Sequence, residues 1–327
     1  MSVLVTGAPG WLGTRFVEIL RRRGEDVRCL VLPQSDGAVL EKMGARVVRG
    51  SLLVPDSLRN ICAGVDVVFH CAGVVHPRRI KDLYSINFSG TGNILREAID
   101  SRVRRFMYVS SNSAGGVNIP GEKMMDELSP SRPYRHYGLS KYKAEVLVNK
   151  SFSEGRIETT IIRPCWFYGI RQPERQTVFF KMIKKGNPIV FGDGNNVRSM
   201  TYIDDLAEAL ILAAAKDISA GKTYWIADAR PYPVIEIYKV IARLLGVADF
   251  RPRFVPAWVS GFCRIADGLI QDCGGYSKEI HVAGEMDRDI ACSIEKAKQE
   301  LGYAPKIGLE EGMRRSIEWC RTNGIKI

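Results

Sequence analysis

Long apolar runs are missing from this sequence: nowhere does it reach the ~18 uninterrupted apolar residues of a membrane span. Its opening, MSVLVTGAPG, passes from a short apolar stretch straight into glycines and lacks the basic start and cleavage site of a secretory signal. A cytoplasmic protein without a membrane span is the expectation. No C-x-x-C occurs among the eight cysteines, at 29, 62, 71, 165, 263, 273, 292 and 320, and no histidine stands near them in a metal-ligand rhythm. That argues against a zinc site or a disulfide framework and predicts buried, reduced thiols and no metal. Repeats, low-complexity tracts and evident linkers are absent too. Acidic residues are outnumbered, 36 to 47, giving a net charge of +11. The basic residues are nevertheless spread along the chain. Their densest cluster, Arg21-Arg22-Arg23 before Gly24, sits where cations complement a helix C-terminus closed by glycine. Nucleic acid is therefore not an expected partner, whereas a diphosphate-bearing small molecule would use the same charge.

What remains is an ordinary globular composition, 46% hydrophobic and 25% charged over 327 residues, enough for one large domain or two closely packed ones. SVLVT is a short β-branched run, followed by the glycine turn GAPGWLG and an amphipathic stretch from Thr14 to Arg23. Further strand-like runs follow in DVRCLVL, ARVVRG, VDVVFHCAG and VRRFMYVSS, with a helix of about twenty residues from near Lys81 to Ser101 between the last two. After one more helix comes RIETTIIRP, ending at Pro164. This alternation predicts an α/β fold, a Rossmann-type doubly wound parallel sheet over residues 1–172, with a smaller mixed C-terminal substrate lobe over 173–327. Short strands such as RSMTYI and KTYWIA interrupt the helical patterns of the lobe, whose boundary is expected to be discontinuous and to weave back into the sheet. VPAWVSGFCRIADGLI is apolar but broken by Arg264 and Asp267, which predicts a packed helix rather than a membrane anchor.

Three local patterns carry chemistry. Gly7, Gly10 and Gly13 follow the first strand directly and open a helix. Glycines there let the backbone turn sharply and approach a pyrophosphate, which the free N–H groups of the helix N-terminus then bind. The turn and helix start, Gly7, Gly10, Trp11, Leu12 and Gly13, are the expected dinucleotide cradle. The second strand ends CLVLPQSD, with neither a carboxylate nor an arginine before Asp36; NAD is the expected cofactor and NADP the alternative. A serine at the carboxyl edge of the fifth strand, Ser111 in YVSSNSAGG, is poised to hydrogen-bond a reacting hydroxyl or carbonyl. Finally, in YRHYGLSKYKAE only Tyr137 has a lysine four residues on, Lys141, on the same helical face. A phenol of pKa about 10 is a poor base at neutral pH unless a cation stabilises its phenolate.

With these features, and with HCAG at 70–73, NFSGTGN at 87–93, RPCWFYG at 163–169, GDGNNVRSMTYIDD at 192–205 and SIEKAKQELGYAPKIGLEEGMRRSIEW near the end, the sequence resembles the extended short-chain dehydrogenases/reductases. That family includes nucleotide-sugar epimerases, dehydratases and reductases and the 3β-hydroxysteroid dehydrogenases. The resemblance implies Ser111, Tyr137 and Lys141 as the catalytic set, with Tyr137 as acid/base and Lys141 also binding the nicotinamide ribose. It implies Ala72, Gly73 and Pro164 as further cofactor contacts, and Ser111, Asn112, Ser113, Trp166 and Arg198 as substrate contacts, Arg198 on a substrate diphosphate. It also implies a homodimer through the helices near 81–101 and 136–152. Two departures narrow the reaction. Asn112 and Ser113 stand where 4,6-dehydratases carry an Asp-Glu pair, and an amide and an alcohol cannot expel water by that route. Trp166 stands where many epimerases have asparagine, which suggests an aromatic wall or merely a packed indole. The expected function is an NAD-dependent nucleotide-sugar 4-epimerase working through a transient 4-keto intermediate, of the kind found in bacterial polysaccharide pathways. The alternatives are an NAD(P)-dependent dehydrogenase or ketoreductase of a nucleotide sugar or hydroxysteroid, and a non-catalytic dinucleotide-binding sensor.

Overall fold

Val3, Leu4 and Val5 have no polar residue between them, and such a strand is stable only where both faces of its sheet are covered. All three are fully buried. The computed structural model describes residues 1–327, the side chain of Arg175 excepted. Its centre is a seven-stranded, wholly parallel sheet in the order β3-β2-β1-β4-β5-β6-β11. The strands are β1 (Ser2–Thr6), β2 (Asp26–Val31), β3 (Arg46–Arg49), β4 (Val67–His70), β5 (Arg105–Val109), β6 (Glu158–Pro164) and, from much later in the chain, β11 (Lys222–Ile226). Because strand side chains alternate, Val3, Val5 and Phe69 enter one hydrophobic core while Leu4 and Val68 enter another on the opposite face.

Helices cover both faces: α1 (Trp11–Arg22), α2 (Ala38–Lys42), α3 (Ile80–Leu83), α4 (Gly90–Asp100), the short α5 (Asn112–Gly115), α6 (Arg135–Ser153) and, returning from beyond residue 172, α8 (Ile203–Ala215). The expected helix near 81–101 spans Ile80 to Asp100, but it is not uniform: a π-helical stretch, Tyr84–Ser89, separates α3 from α4. Its Asn87 is fully buried and bonded through its side chain to both the N–H and C=O of Val74 and to Ser140 Oγ. π turns of this kind are common at functional sites.

The remaining chain builds a smaller lobe with its own core of Tyr202, Tyr238, Ile241, Met313 and Ile317. It contains α7 (Glu174–Lys184), α9 (Val234–Leu245) and α12 (Leu309–Thr322), and three two-stranded pairings. These join β7 (Trp166–Tyr168) to β10 (Met200–Tyr202), β9 (Val197–Arg198) to β12 (Tyr232–Pro233), and β8 (Ile189–Phe191) to β13 (Arg253–Val255). In α9 the buried Val234, Ile237, Tyr238 and Ile241 recur every three to four residues, and the helix stops at Gly246 in the left-handed region. Two further helices, α10 (Ala257–Asp272) and α11 (Lys278–Glu285), form a hairpin that is fastened to the N-terminus of α6.

Candidate active site

At the carboxyl edge of the sheet, between β1 and β4, the strand order reverses and a crevice opens. Gly7 turns there with φ +70°, and a Cβ on it would lie 2.7 Å from Ala72 N. A Cβ on Gly13 would lie 2.2 Å from Gly7 O, so α1 can sit this close to the turn only because residue 13 has no side chain. Gly10 differs: its Cβ would meet only Gly7 O, at 3.0 Å, and the space beyond is open. Gly10 is also the N-cap of α1, with no side chain capping the helix. This is a cradle that a phosphate fits and a side chain would fill. Trp11 frames it, its indole N–H donating to Ile170 O at 2.7 Å and its ring 4.8 Å from Phe167, while Leu12 is buried in the core behind. Ala72 N–H donates to Thr6 Oγ1 at 3.3 Å, Gly73 lies beside Asn87 and Lys141, and Pro164 ends β6 opposite Ile226. Past the carboxyl end of β2, Asp36 caps the N–H of Ala38 while Arg49 donates to Leu32 O at 3.2 Å and to Ser35 O. Arg49, on the neighbouring strand, gave no sign in the sequence that it would reach this loop.

Ser111 and Tyr137 are brought within hydrogen-bond reach of each other. Ser111 is buried and caps α5, its Oγ accepting from Ser113 N–H at 3.2 Å. Tyr137 reaches it because α6 runs tight against that turn: Tyr134 N–H donates to Ser113 O at 2.9 Å, and a Cβ on Gly138 would lie 2.2 Å from the same oxygen. The glycine inside YRHYGLSKYK thus sets the approach of the helix. Burial pushes the Tyr137 phenol up, opposed by a hydrogen bond from Ser111 and reinforced by the charge of Glu285. Lys141, one turn on, is buried; its ammonium donates to Val109 O at 2.7 Å and lies 4.4 Å from the centre of the Tyr108 ring. Burial pushes it down to about 7, with Glu145 pulling the other way. Glu145 itself is held by a bidentate, buried pair with Arg163, at 2.9 and 2.6 Å.

The facing wall comes from the lobe. Asn112 and Ser113 are half-buried on the sheet side; Trp166, at the start of β7, is 36% exposed with its ring 5.5 Å from Phe179. Arg198 is buried, its guanidinium donates to the main-chain oxygen of Glu285, and its Nε has no partner. Sequence reasoning missed what lies around it. Asp267 on α10 is fully buried and accepts from Gln271 at 2.8 Å and pairs with His281 Nδ1 at 2.9 Å. Arg135 approaches Asp267 to 3.7 Å, fits where Gly268 leaves room, and starts α6 with φ +51°, a left-handed conformation unusual for a non-glycine residue. His281 and Glu285 share one face of α11. Burial pushes the Glu285 carboxyl up, and no hydrogen bond or ion pair among the described residues engages it. The only sequence signal for this group was the i, i+4 spacing of His281 and Glu285. No cluster of metal-ligating side chains occurs among the described residues.

A dinucleotide cradle at the switch point of a parallel sheet, with a Ser-Tyr-Lys set on its carboxyl edge, defines an NAD-dependent enzyme of the extended short-chain dehydrogenase/reductase type. The chain belongs to the NAD-dependent epimerase/dehydratase family, which it matches over residues 3–227. It is 40% identical to the protein y4nL of Sinorhizobium fredii strain NBRC 101917 / NGR234, over 98% of this chain and 96% of that one. It is 28% identical to the 2-alkyl-3-oxoalkanoate reductase of Stenotrophomonas maltophilia strain K279a, over 96% and 98% respectively. Among solved structures, the UDP-glucose 4-epimerase of Thermotoga maritima superposes with a TM-score of 0.81 over 99% of both chains at 24% identity, a likeness of fold.

Proposed function

We propose that the protein is an NAD-dependent dehydrogenase or ketoreductase that interconverts a secondary alcohol and a ketone on a largely apolar substrate lacking a diphosphate. The observation that carries this reading is Arg198. The guanidinium that the family resemblance assigns to a diphosphate is buried and donates to the Glu285 main chain, beside a carboxylate that would repel a dianion. The aromatic wall of Trp166 and Phe179 suits an apolar substrate, and the 2-alkyl-3-oxoalkanoate reductase named above offers a precedent for a ketone. NAD, when bound, supplies the hydride acceptor or donor. In the oxidation direction Tyr137 takes the hydroxyl proton, the Ser111 hydrogen bond favours its phenolate form, and Ser111 also hydrogen-bonds the substrate oxygen as it becomes a carbonyl, while Lys141, one helical turn on, is the cation of the proposed set. In this reading residues 1–172, with the returning segment 203–227, bind the cofactor, and the rest of the chain forms the substrate lobe of a homodimer.

A nucleotide-sugar 4-epimerase is the second reading. It begins with the same oxidation, and the unpartnered Nε of Arg198 favours it as an anion contact still unused. One experiment separates the readings. The purified protein is denatured to identify any retained nucleotide. It is then given NADH with medium-chain 3-oxo acids and steroid ketones, or UDP-sugars alone, and its mass is measured by sedimentation velocity. Ketone-dependent NADH oxidation that Tyr137→Phe lowers by about 10²–10⁴-fold, with NAD affinity kept, is the expected result. Retained NAD with UDP-sugar interconversion would establish the epimerase instead. Cofactor binding with neither activity, and no effect of Tyr137→Phe, would leave a dinucleotide sensor. A monomer at micromolar concentration would remove the dimer.

A further inference from the structure

The helix α10, read from the sequence as a packed apolar helix, uses only half of its circumference for packing. Ser260, Asp267, Gly268 and Gln271 face inward and are buried. The helix cannot turn over, because Ser260 Oγ donates to Ala283 O at 2.6 Å and to Asp287 at 2.8 Å, and Asp267 is pinned by His281 and Gln271. The opposite face carries Trp258, Phe262, Ile265 and Leu269, exposed by 73, 67, 65 and 64%. Their spacing of four, three and four makes one continuous apolar stripe. Single exposed apolar residues are ordinary; four large ones in a row on a fixed helix mark an interaction surface.

The charge around the stripe indicates what covers it. Just before α10 lies the exposed Arg253. Beyond its far end, Ile80 N–H is hydrogen-bonded to Gly274 O at 3.4 Å, which brings in the exposed Arg78, Arg79 and Lys81; Lys278 opens α11. None of these five cations is in an ion pair among the described residues. In the same segments the exposed acids are Asp272, which faces His136 at 3.7 Å, and Glu279. A Trp- and Phe-bearing stripe with basic residues at both ends is the pattern of a helix lying in the plane of a bilayer. No helix of the structure is long and apolar enough to cross one.

We propose that the α10 face docks on an anionic phospholipid surface, Trp258, Phe262, Ile265 and Leu269 entering the headgroup boundary while Arg78, Arg79, Lys81, Arg253 and Lys278 engage lipid phosphates. Docking rests on the stripe and its charge, not on the ketone reading. If that reading also holds, the inner side of the same hairpin faces the cleft, so an apolar substrate would pass from bilayer to Tyr137 beneath α10.

The test is flotation of the full-length protein with extruded vesicles of about three parts phosphatidylcholine to one part phosphatidylglycerol, against phosphatidylcholine alone. Partition into the anionic vesicles, with a blue shift of tryptophan emission that Trp258→Ser removes, is expected. Phe262→Ser with Leu269→Ser should lower partitioning about tenfold or more, and Arg78→Gln with Arg79→Gln several-fold, without changing NAD affinity. Three results would overturn the proposal. The protein stays in solution at millimolar lipid; the apolar variants float as well as the parent, so that adsorption is purely electrostatic; or the lipid-free protein is a dimer that the Phe262/Leu269 variants dissociate, so that a second copy covers the face.

Discussion

The two walls of the cleft are made of different material. On the cofactor side the surface that meets a ligand is backbone: the turn at Gly7, the open space at Gly10, the uncapped start of α1 and the close approach at Gly13. On the lobe side it is side chains, Trp166, Arg198, Glu285, and Asp267 and His281, the last two held against Arg135 and Tyr134 at the head of α6. A backbone cradle carries no titrating charge of its own, and at Gly7 and Gly13 it tolerates no added atom. A side-chain site can exchange one residue for another, and its selectivity follows from charge and shape. The difference explains how one cofactor architecture serves many substrates: the wall that fixes chemistry is rigid, and the wall that chooses substrate is replaceable.

The sharpest way to break the comparison is Gly13→Ala. A Cβ there cannot avoid Gly7 O at 2.2 Å, so the turn and α1 must separate. NAD affinity measured by calorimetry should fall about 10³-fold, roughly 4 kcal/mol. An affinity within threefold of the parent would mean that the cradle is not the binding surface. A smaller effect, on the other wall, is expected from Asp267→Ala, which leaves His281, Gln271 and Arg135 without their shared acceptor. Thermal unfolding should show a loss of roughly 2–4 kcal/mol. NAD affinity should stay within about twofold, because Asp267 and its partners His281, Gln271 and Arg135 share no contact with the glycine cradle's own backbone partners. A parallel loss of NAD affinity would show that the two walls are one cooperative unit.

The same contrast governs what the sequence could reveal. Gly7, Gly10 and Gly13, and Tyr137 with Lys141, are neighbours in the chain, so their placement on one turn and on one helical face is written in local spacing. Gly138 acts through a close approach to Ser113 that no spacing rule signals. The resemblance implies Arg198 on a substrate diphosphate, and nothing local signals that its main-chain partner, Glu285, reaches β9 from α11. Likewise β11 looks like any short strand until it pairs with β6, and Arg49 only reaches the loop after β2 because β3 lies beside β2. The lobe side chains converge from α6, β9, α10 and α11, and nothing local announces such a meeting. The exposed face of α10 was hidden for a related reason: periodicity identifies an apolar stripe but not whether another element covers it.

The smallest predicted effect reads the two walls through two histidines of opposite sign. His70, beneath the cofactor crevice, is fully buried, with Nδ1 2.7 Å from Thr6 Oγ1 and Nε2 2.9 Å from Thr91 Oγ1. Burial, helped by the Lys141 charge, pushes it down to about 3. As pH falls below the unfolded value of about 6.5, the unfolded chain takes up a proton that folded His70 refuses. Stability is therefore lost on acidification, by about 2 kcal/mol between pH 6.5 and 5 at 1.36 kcal/mol per unit. On the lobe wall burial lowers His281, but its hydrogen bond to Asp267 and the charges of Glu285 and Asp267 outweigh it and leave the group raised. Its stabilisation is complete below pH 6.5 and disappears as pH rises through the raised value. Melting temperatures of His70→Asn and His281→Asn relative to the parent should thus diverge. The first variant should close the gap or gain in acid, and the second should lose most in acid and least at alkaline pH. Parallel curves would mean that the two walls do not differ in how they hold charge, and that the lobe cluster is as insulated from protons as the sheet.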